Sequence, residues 1–184
     1  MRFPVLSEDD LLTTRSQGEE CRLRLEHALF SGRPTDLEID FSGIEALTIS
    51  FGDEFIGRLL TELQGSVGDP VLVLLTGLNE DTAIELEVVL ERRKLLAASC
   101  LAGELQLLGG DRYLKETYAP VVTLGRATPG QLAEGLGTSV QNVNNRLKRL
   151  VSAGALQRER VAVIGGGREF VYEVPAGYRS PAAA

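Results

Sequence analysis

The sequence contains no tryptophan, one histidine and two cysteines, and aromatic residues make up only 5% of it. The single histidine, His27, excludes His-rich metal sites and argues against a histidine-based catalytic triad. Cys21 and Cys100 lie far apart in apolar segments, which is typical of reduced, buried thiols. No segment reaches the roughly 18 apolar residues of a membrane span. The chain turns acidic within its first ten residues, so we expect no secretory signal, no membrane partner and a cytoplasmic location.

The motifs of the common enzyme classes are also missing. The sequence has no P-loop, no Rossmann glycine fingerprint, no metal-ligand cluster and no nucleophile–histidine–acid set. Its glycine run, Gly165-Gly166-Gly167, lies between two strand-like segments and not before a helix, so it does not fit a phosphate-binding loop. We therefore expect a protein that is not an enzyme and that needs no cofactor.

Charge is distributed unevenly along the 184 residues, whose net charge is −7. Residues 1–125 contain 11 basic and 22 acidic residues, a net charge of −11. Residues 126–184 contain 8 basic and 4 acidic residues, a net charge of +4. Such an asymmetry indicates two functions, with an anionic partner at the basic end.

Apolar patterning in the acidic part predicts helices that alternate with strands. The uninterrupted apolar run over 71–75 predicts a strand that is buried on both faces. Ser16 is the expected N-cap of the first helix. The alternation predicts an α/β sandwich over residues 1–112. Its predicted helices cover 16–30, 51–63 and 81–94, and its strands cover 37–41 and 71–75. The pattern of residues 95–108 is ambiguous, and a hairpin of 96–101 and 104–108 is one interpretation of it.

The most specific feature of this part is the segment 39–55, which includes Asp40-Phe41 and Ser50-Phe51-Gly52-Asp53-Glu54. It resembles the STAS superfamily, and more closely the STAS-like domains of unknown function, whose core contains D-F followed by S-F-x-D-E. The likeness covers about residues 12–105. It implies a domain that binds partners, often ATPase-type kinases, or small ligands, and that does not catalyse a reaction.

Three residues of this segment are candidates for a partner or switch site: Thr48, Ser50 and Asp53. In the anti-sigma-factor antagonists of the superfamily, a serine at the start of the helix is phosphorylated. Ile49 occupies that position here, Ser50 follows it, and Thr48 replaces an aspartate. Ser50 is also well placed to cap the following helix, with Asp53 in its first turn. Capping and partner docking or phosphorylation therefore stay open for Ser50.

The basic part has the pattern of a winged helix. Thr128-Pro129 begins a short helix, Ser139 caps a second over 140–153, and strand-like segments follow at 155–164 and 168–174. Two helices joined by a short turn that contains glycine form a helix-turn-helix. The run from Leu132 to Leu156 resembles bacterial winged helix-turn-helix transcription regulators. We predict a small α+β winged helix-turn-helix domain over 113–175 and a disordered tail over 176–184.

The second helix of this motif is the predicted reader of DNA, because its apolar stripe leaves a polar side outward. Asparagine and glutamine can pair with adenine in the major groove, and arginine can pair with guanine. Arg168, at the glycine-rich turn, would meet the minor groove or the backbone. The expected base-edge residues are Gln141, Asn142, Asn145 and Arg146, and the expected phosphate contacts are Ser139 and Lys148.

The sequence thus predicts a cytosolic transcription regulator that binds double-stranded DNA as a homodimer. The STAS-like domain would dimerise, or receive a signal from a protein partner or a small ligand. An alternative is an adaptor of the anti-sigma-antagonist type, whose acidic domain docks an ATPase-type partner without specific DNA binding.

Overall fold

The computed structural model describes residues 1–5, 10–32, 34–65, 69–162 and 166–178. The chain folds into a mixed α/β structure with a winged helix at its C-terminal end. Its elements are β1 (Arg2–Pro4), β2 (Leu11–Leu12), α1 (Arg15–Gly32), β3 (Asp36–Asp40), β4 (Ala46–Leu47), α2 (Ile49–Gly52), a π-helical turn (Asp53–Gly57), α3 (Arg58–Gly65), β5 (Leu72–Thr76), α4 (Glu80–Arg93), β6 (Leu96–Leu101), β7 (Glu104–Gly109), α5 (Arg112–Leu124), β8 (Arg126–Ala127), α6 (Pro129–Gly135), α7 (Val140–Ser152), β9 (Gln157–Ala162), β10 (Arg168–Glu173) and a 3-10 turn (Ala176–Tyr178).

The main sheet has five strands in the order β1-β3-β5-β6-β7. The first four run parallel, and β7 returns antiparallel to β6. The predicted hairpin is confirmed: Ala102 and Gly103 connect β6 to β7 with positive φ angles of 51° and 83°. Positive φ at both positions gives a tight turn whose twist matches that of the strands.

Strand β5 is buried on both faces, as its apolar run predicts. Val73 and Leu75 point into a core shared with α1, α2, α3 and α4. Leu74 points the other way, into a second core that contains Leu114 of α5 and Leu147 of α7. Because side chains alternate along a strand, one sheet serves two cores. The winged helix therefore covers the second face of the main sheet, opposite α1, α2, α3 and α4.

The predicted boundary between residues 112 and 113 falls in the first turn of α5. Residues on its two sides share the second core, since Leu96 and Leu107 of the sheet pack there with Tyr118. The contact extends to the backbone: the Val73 N–H donates to the Gly154 carbonyl oxygen over 3.3 Å. The acidic and basic parts of the chain are therefore joined along one apolar interface.

Two helices begin earlier than predicted, and for the same reason. The predicted cap Ser50 lies inside α2, because Thr48 accepts the Phe51 N–H over 3.3 Å and is the N-cap. The predicted cap Ser16 lies inside α1, where Thr14 Oγ1 accepts the Gln17 N–H over 3.2 Å. In each case a threonine two residues earlier occupies the capping position.

Other differences lie at short or terminal elements. The sequence did not indicate β1, which pairs with β3, or β8, which pairs with β10. Helix α5 contains Pro120 in its interior. The predicted tail is ordered at its beginning, since Tyr178 is buried in the second core. The remaining tail residues, 179–184, and Gly165 lie outside the described residues.

Tyr118 carries a buried hydroxyl that has no hydrogen-bond partner among the described residues. Burial also raises the pKa of this phenol above its usual range. A buried, unpaired hydroxyl costs free energy, so Tyr118→Phe should leave the free energy of unfolding unchanged or raise it by up to about 1 kcal/mol. Tyr118→Ala, which also removes the ring, should lower it by about 3–5 kcal/mol. Urea unfolding of both variants measures this, and a clear loss in Tyr118→Phe would show that the hydroxyl is paired in solution.

Candidate nucleic-acid interface

The C-terminal elements form a complete winged helix. Helices α5, α6 and α7 pack on a three-stranded sheet in the order β8-β10-β9. Thr128 caps α6 through a capping box with Gln131, and Ser139 caps α7 by accepting the Asn142 N–H over 3.3 Å. Gly137 has a φ of 61° in the turn between these helices, a conformation that favours glycine. Capping and the glycine turn together fix the geometry of the helix-turn-helix.

Helix α7 buries one side and exposes the other. Val143, Leu147 and Leu150 are fully buried in the second core. The helix contains no acidic residue. Its exposed side therefore offers hydrogen-bonding groups and positive charge to an anionic surface. The predicted interface residues that are exposed on α7 or at its cap are Ser139, Gln141, Asn142, Asn145 and Lys148.

Two of these residues form a pair on the outermost line of the helix. Gln141 and Asn145 are one turn apart, and their side-chain amides lie 3.5 Å apart from Nε2 to Oδ1. Asn142 lies beside them and donates to Thr138 Oγ1 over 3.4 Å. Contacts of this length are weak, so these amides can exchange them for contacts with base edges.

Arg146 does not point outward as expected. Its guanidinium lies 4.9 Å above the centre of the Tyr113 ring, and Nη1 donates to Thr117 Oγ1 over 3.4 Å. Both partners belong to α5. Arg146 follows the buried Val143 by three residues, so helical geometry places it on the flank of the apolar stripe. Arg146 therefore contacts α5, mainly through the Tyr113 ring.

Arg146→Ala should therefore reduce stability rather than base discrimination. Losing the cation–π contact and the hydrogen bond should lower the free energy of unfolding by about 1 kcal/mol. Thermal unfolding would measure that loss, and binding to a panel of single-base operator variants would measure discrimination. A changed base preference in Arg146→Ala would show that this side chain leaves α5 and enters the groove.

A second arginine of α7 is also tied to α5. Arg149 Nη1 donates to Asp111 Oδ2 over 2.8 Å. Asp111 is the N-cap of α5 and accepts the Leu114 N–H. Burial opposes ionisation of Asp111, but the hydrogen bonds from Arg149 and Leu114 outweigh it and hold the pKa of this carboxyl below its usual value. The orientation of α7 is thus fixed from two positions.

The wing presents further positive charge. Arg168 is exposed at the start of β10, as predicted. Arg158 and Arg160 alternate along β9 on the face that also carries Phe170, and the Arg158 guanidinium lies 4.4 Å above the Phe170 ring centre. Arg160 is exposed next to them. The sequence did not single out Arg160 as a contact residue.

Two of the three candidate switch residues, Thr48 and Asp53, make polar contacts within the acidic part. Thr48 Oγ1 donates to the Thr13 carbonyl oxygen over 2.9 Å while it caps α2. Ser50 is half-buried inside α2. Asp53 accepts two hydrogen bonds from Arg93, at 2.6 and 3.0 Å, and these hold the pKa of its carboxyl below its usual value. Asp53 therefore ties the π-helical turn to α4.

Two kinds of feature are absent from the described residues. None of their helices is both long and apolar enough to cross a membrane. Within the same part of the chain, no three histidine, cysteine or acidic side chains come together as potential metal ligands.

One comparison with known proteins gives a match, and the match lies in the helix-turn-helix. Residues 125–157 match a family model described as winged helix-turn-helix DNA-binding. No curated protein and no solved structure matches the chain. The STAS-like assignment of the acidic part therefore stays a prediction. The matched segment contains α6 and α7 with their capped turn, so this part of the chain is similar to winged helix-turn-helix DNA-binding domains.

Proposed function

We propose that this protein is a cytoplasmic transcription regulator that binds specific sequences of double-stranded DNA as a homodimer. The observation that carries the proposal is the exposed side of α7. That side combines amides with positive charge, has no acidic residue, and belongs to a winged helix. An amide-rich helix surface of this kind suits the major groove, where base edges present donors and acceptors.

Gln141 and Asn145 are the proposed base readers. They occupy the outermost line of the helix, and each amide can make two hydrogen bonds to adenine. Asn142 and the cap residue Ser139 lie at the N-terminal end of α7, the end that meets base edges and phosphates in helix-turn-helix proteins. Arg146 would act as a positioning residue through α5.

Lys148, Arg160 and Arg168 are the proposed phosphate contacts. All three are exposed. Lys148 lies on α7, whereas Arg160 and Arg168 lie on the two strands of the wing. Positive charge at the helix and at the wing can contact the backbone on both sides of a groove.

The acidic part would carry dimerisation and the response to a protein partner or a small ligand. Its net charge of −11 repels DNA, so it has to face away from the duplex. A dimer would place two α7 helices on two half-sites, which raises both affinity and specificity.

The direct test is to capture short genomic DNA fragments with the purified protein at near-physiological salt and to sequence them. Enrichment of a short inverted repeat is the expected result. Failure of the folded protein to enrich any sequence would overturn the proposal.

Salt should weaken binding steeply, because each phosphate contact releases counterions. With three contacts per copy, a dimer makes about six, and its affinity should fall roughly 10³-fold between 50 and 200 mM salt. Fluorescence anisotropy of a labelled operator measures this slope, and Lys148→Ala should reduce it by about one for each copy bound. A slope near zero would mean that the partner is not a nucleic acid.

A further inference from the structure

The main sheet ends at β7, whose outer edge pairs with none of the described strands. This strand has six residues, Glu104–Gly109, and it contains no proline and a single charge. Unpaired strand edges are templates for pairing with another chain, and proteins usually protect them with charge, proline or short length. Of these protections β7 has only one charge, Glu104, which is the first residue of the strand.

The opposite edge of the sheet provides the comparison. Strand β1 has three residues, Arg2–Pro4, so it combines short length, a charge and a proline. Arg2 is also held by Asp40 over 2.7 Å. The same sheet therefore protects one edge and leaves the other open, which indicates that the open edge has an occupant.

The hydrogen-bond pattern shows which backbone groups face outward from β7. The Gly110 N–H donates to the Leu95 carbonyl oxygen over 3.0 Å, so even-numbered residues bond to β6. The Gly109 N–H instead donates outward, to Glu87 Oε2 over 2.6 Å. Since bonding alternates along an antiparallel strand, the N–H and C=O groups of Leu105 and Leu107 also face outward.

An apolar groove of about 590 Å³ runs along this edge, between α4 and α5. Its walls include Val88 and Ile84 of α4, and the Ile84 side chain is 60% exposed. An isoleucine of this exposure beside an open strand extends the apolar surface beyond the sheet itself. The charged residues of the groove lining are Glu80, Glu87 and Lys115, and because Glu87 pairs with Lys115, Glu80 leaves one net negative charge.

We propose that a second copy of this chain occupies this edge, with its β7 paired antiparallel to the first. Pairing centred on Gln106 sets Leu105 of each copy opposite Leu107 of the other. This register gives partners to all four outward N–H groups and all four outward carbonyl groups of the two leucines, and it packs four leucine side chains together. Glu104, the only charge of the strand, then lies opposite Leu108 of the other copy, so no like charges face each other.

The interface deepens the proposed function, since it rests on the proposal that the protein acts as a dimer. Helix α5 contacts both β7 and α7. A β7–β7 dimer would therefore connect the two DNA-reading helices through one continuous ten-stranded sheet and the two α5 helices. The position of each reader would be fixed relative to the twofold axis.

Charge placed at Gln106 tests this surface. Gln106→Lys and Gln106→Glu each set like charges opposite each other at the axis, and each should weaken the dimer at least about tenfold. Mixing the two variants sets opposite charges there and should restore a dimer. Light scattering across a dilution series, without DNA, measures the molar mass, and hence the fraction of dimer, in all three samples. The matched control is Leu23→Lys, which places a charge on the exposed face of α1 and should stay dimeric.

Disulfide trapping tests the register. In a Cys100→Ser background, Gln106→Cys should cross-link two copies, because facing residues of a non-hydrogen-bonded pair lie about 4.5 Å apart between Cα atoms. Glu104→Cys should not, since its two copies would be about 14 Å apart along the strands. Cross-linking at both positions or at neither would overturn the proposed register.

The oligomer measurement separates this interface from the proposed function. If the wild-type protein is a monomer at all concentrations, the proposed interface is overturned. The occupant of the β7 edge would then have to be a strand of another protein. A dimer that the Gln106 variants do not disturb would also overturn it. A Gln106-dependent dimer that enriches no DNA sequence would support the interface while the proposed function fails.

Discussion

Replacing Gln141 and Asn145 together by alanine is expected to lower the affinity of each copy for its half-site of the specific DNA by between about 30-fold and 10⁴-fold. Each amide that pairs with a base through two hydrogen bonds contributes about 1–3 kcal/mol of discrimination, and each factor of ten corresponds to about 1.4 kcal/mol. Both side chains are exposed on α7, so their loss should not disturb the core. Binding to unrelated DNA should change little, because phosphate contacts carry it.

Asn144→Ala provides the matched control. It makes the same chemical change on the same helix, but Asn144 follows the buried Val143 directly and lies off the outermost line. The comparison requires titration of each variant with the enriched operator and with a scrambled duplex. Equal losses for Asn144→Ala and for the double variant would contradict the assignment of the readers. Unchanged specific affinity in the double variant would place recognition on another surface.

Gly154→Ala is expected to lower the free energy of unfolding of the whole chain by about 3 kcal/mol or more. Gly154 has a φ of 73°, and an added Cβ atom would lie 2.1 Å from the Val71 carbonyl oxygen. The strain of a non-glycine residue in this region and the displacement of β5 both contribute. Because this glycine lies where the winged helix meets the sheet, both parts should lose stability in one transition.

Substitutions at two other glycines distinguish the strain of a positive φ from the displacement of β5. Gly137 has a positive φ of 61°, but no atom lies within 4 Å of an added Cβ. Gly137→Ala should therefore lower the free energy of unfolding by only about 1–2 kcal/mol. Gly135→Ala lies in the helical conformation with open space around it and should raise the free energy of unfolding by about 0.5–1 kcal/mol. Urea denaturation ranks the three. A Gly154→Ala effect no larger than that of Gly137→Ala would show that the sheet contact contributes nothing.

Helix positions could be predicted from the sequence better than helix starts. Both Thr14-Arg15-Ser16 and Thr48-Ile49-Ser50 offer a threonine and a serine two residues apart, and either hydroxyl can cap a helix. The choice depends on contacts from elsewhere in the chain: Thr48 is held by the Thr13 carbonyl oxygen, from a segment 35 residues away. A local pattern contains no information about such a contact.

Burial of β5 on both faces could be predicted, but the elements that pack on its second face could not. The apolar run over 71–75 requires two apolar partners and does not specify them. The structure supplies α5 and α7, which the sequence indicated only as parts of a separate domain. The contacts of Arg146 could not be predicted for a related reason. Its position three residues after Val143 was visible, but its partners Tyr113 and Thr117 lie on another helix.

The shared second core has a consequence for how this winged helix can be moved between proteins. Leu74, Leu96 and Leu107 belong to the sheet, yet they pack against the helices of the winged helix. A fusion that takes only the basic segment would leave these side chains behind and expose the apolar undersides of α5 and α7 to water. Chimeras built to redirect this winged helix to a new regulator need to carry β5, β6 and β7 with it, or to replace their leucines by an equivalent apolar surface.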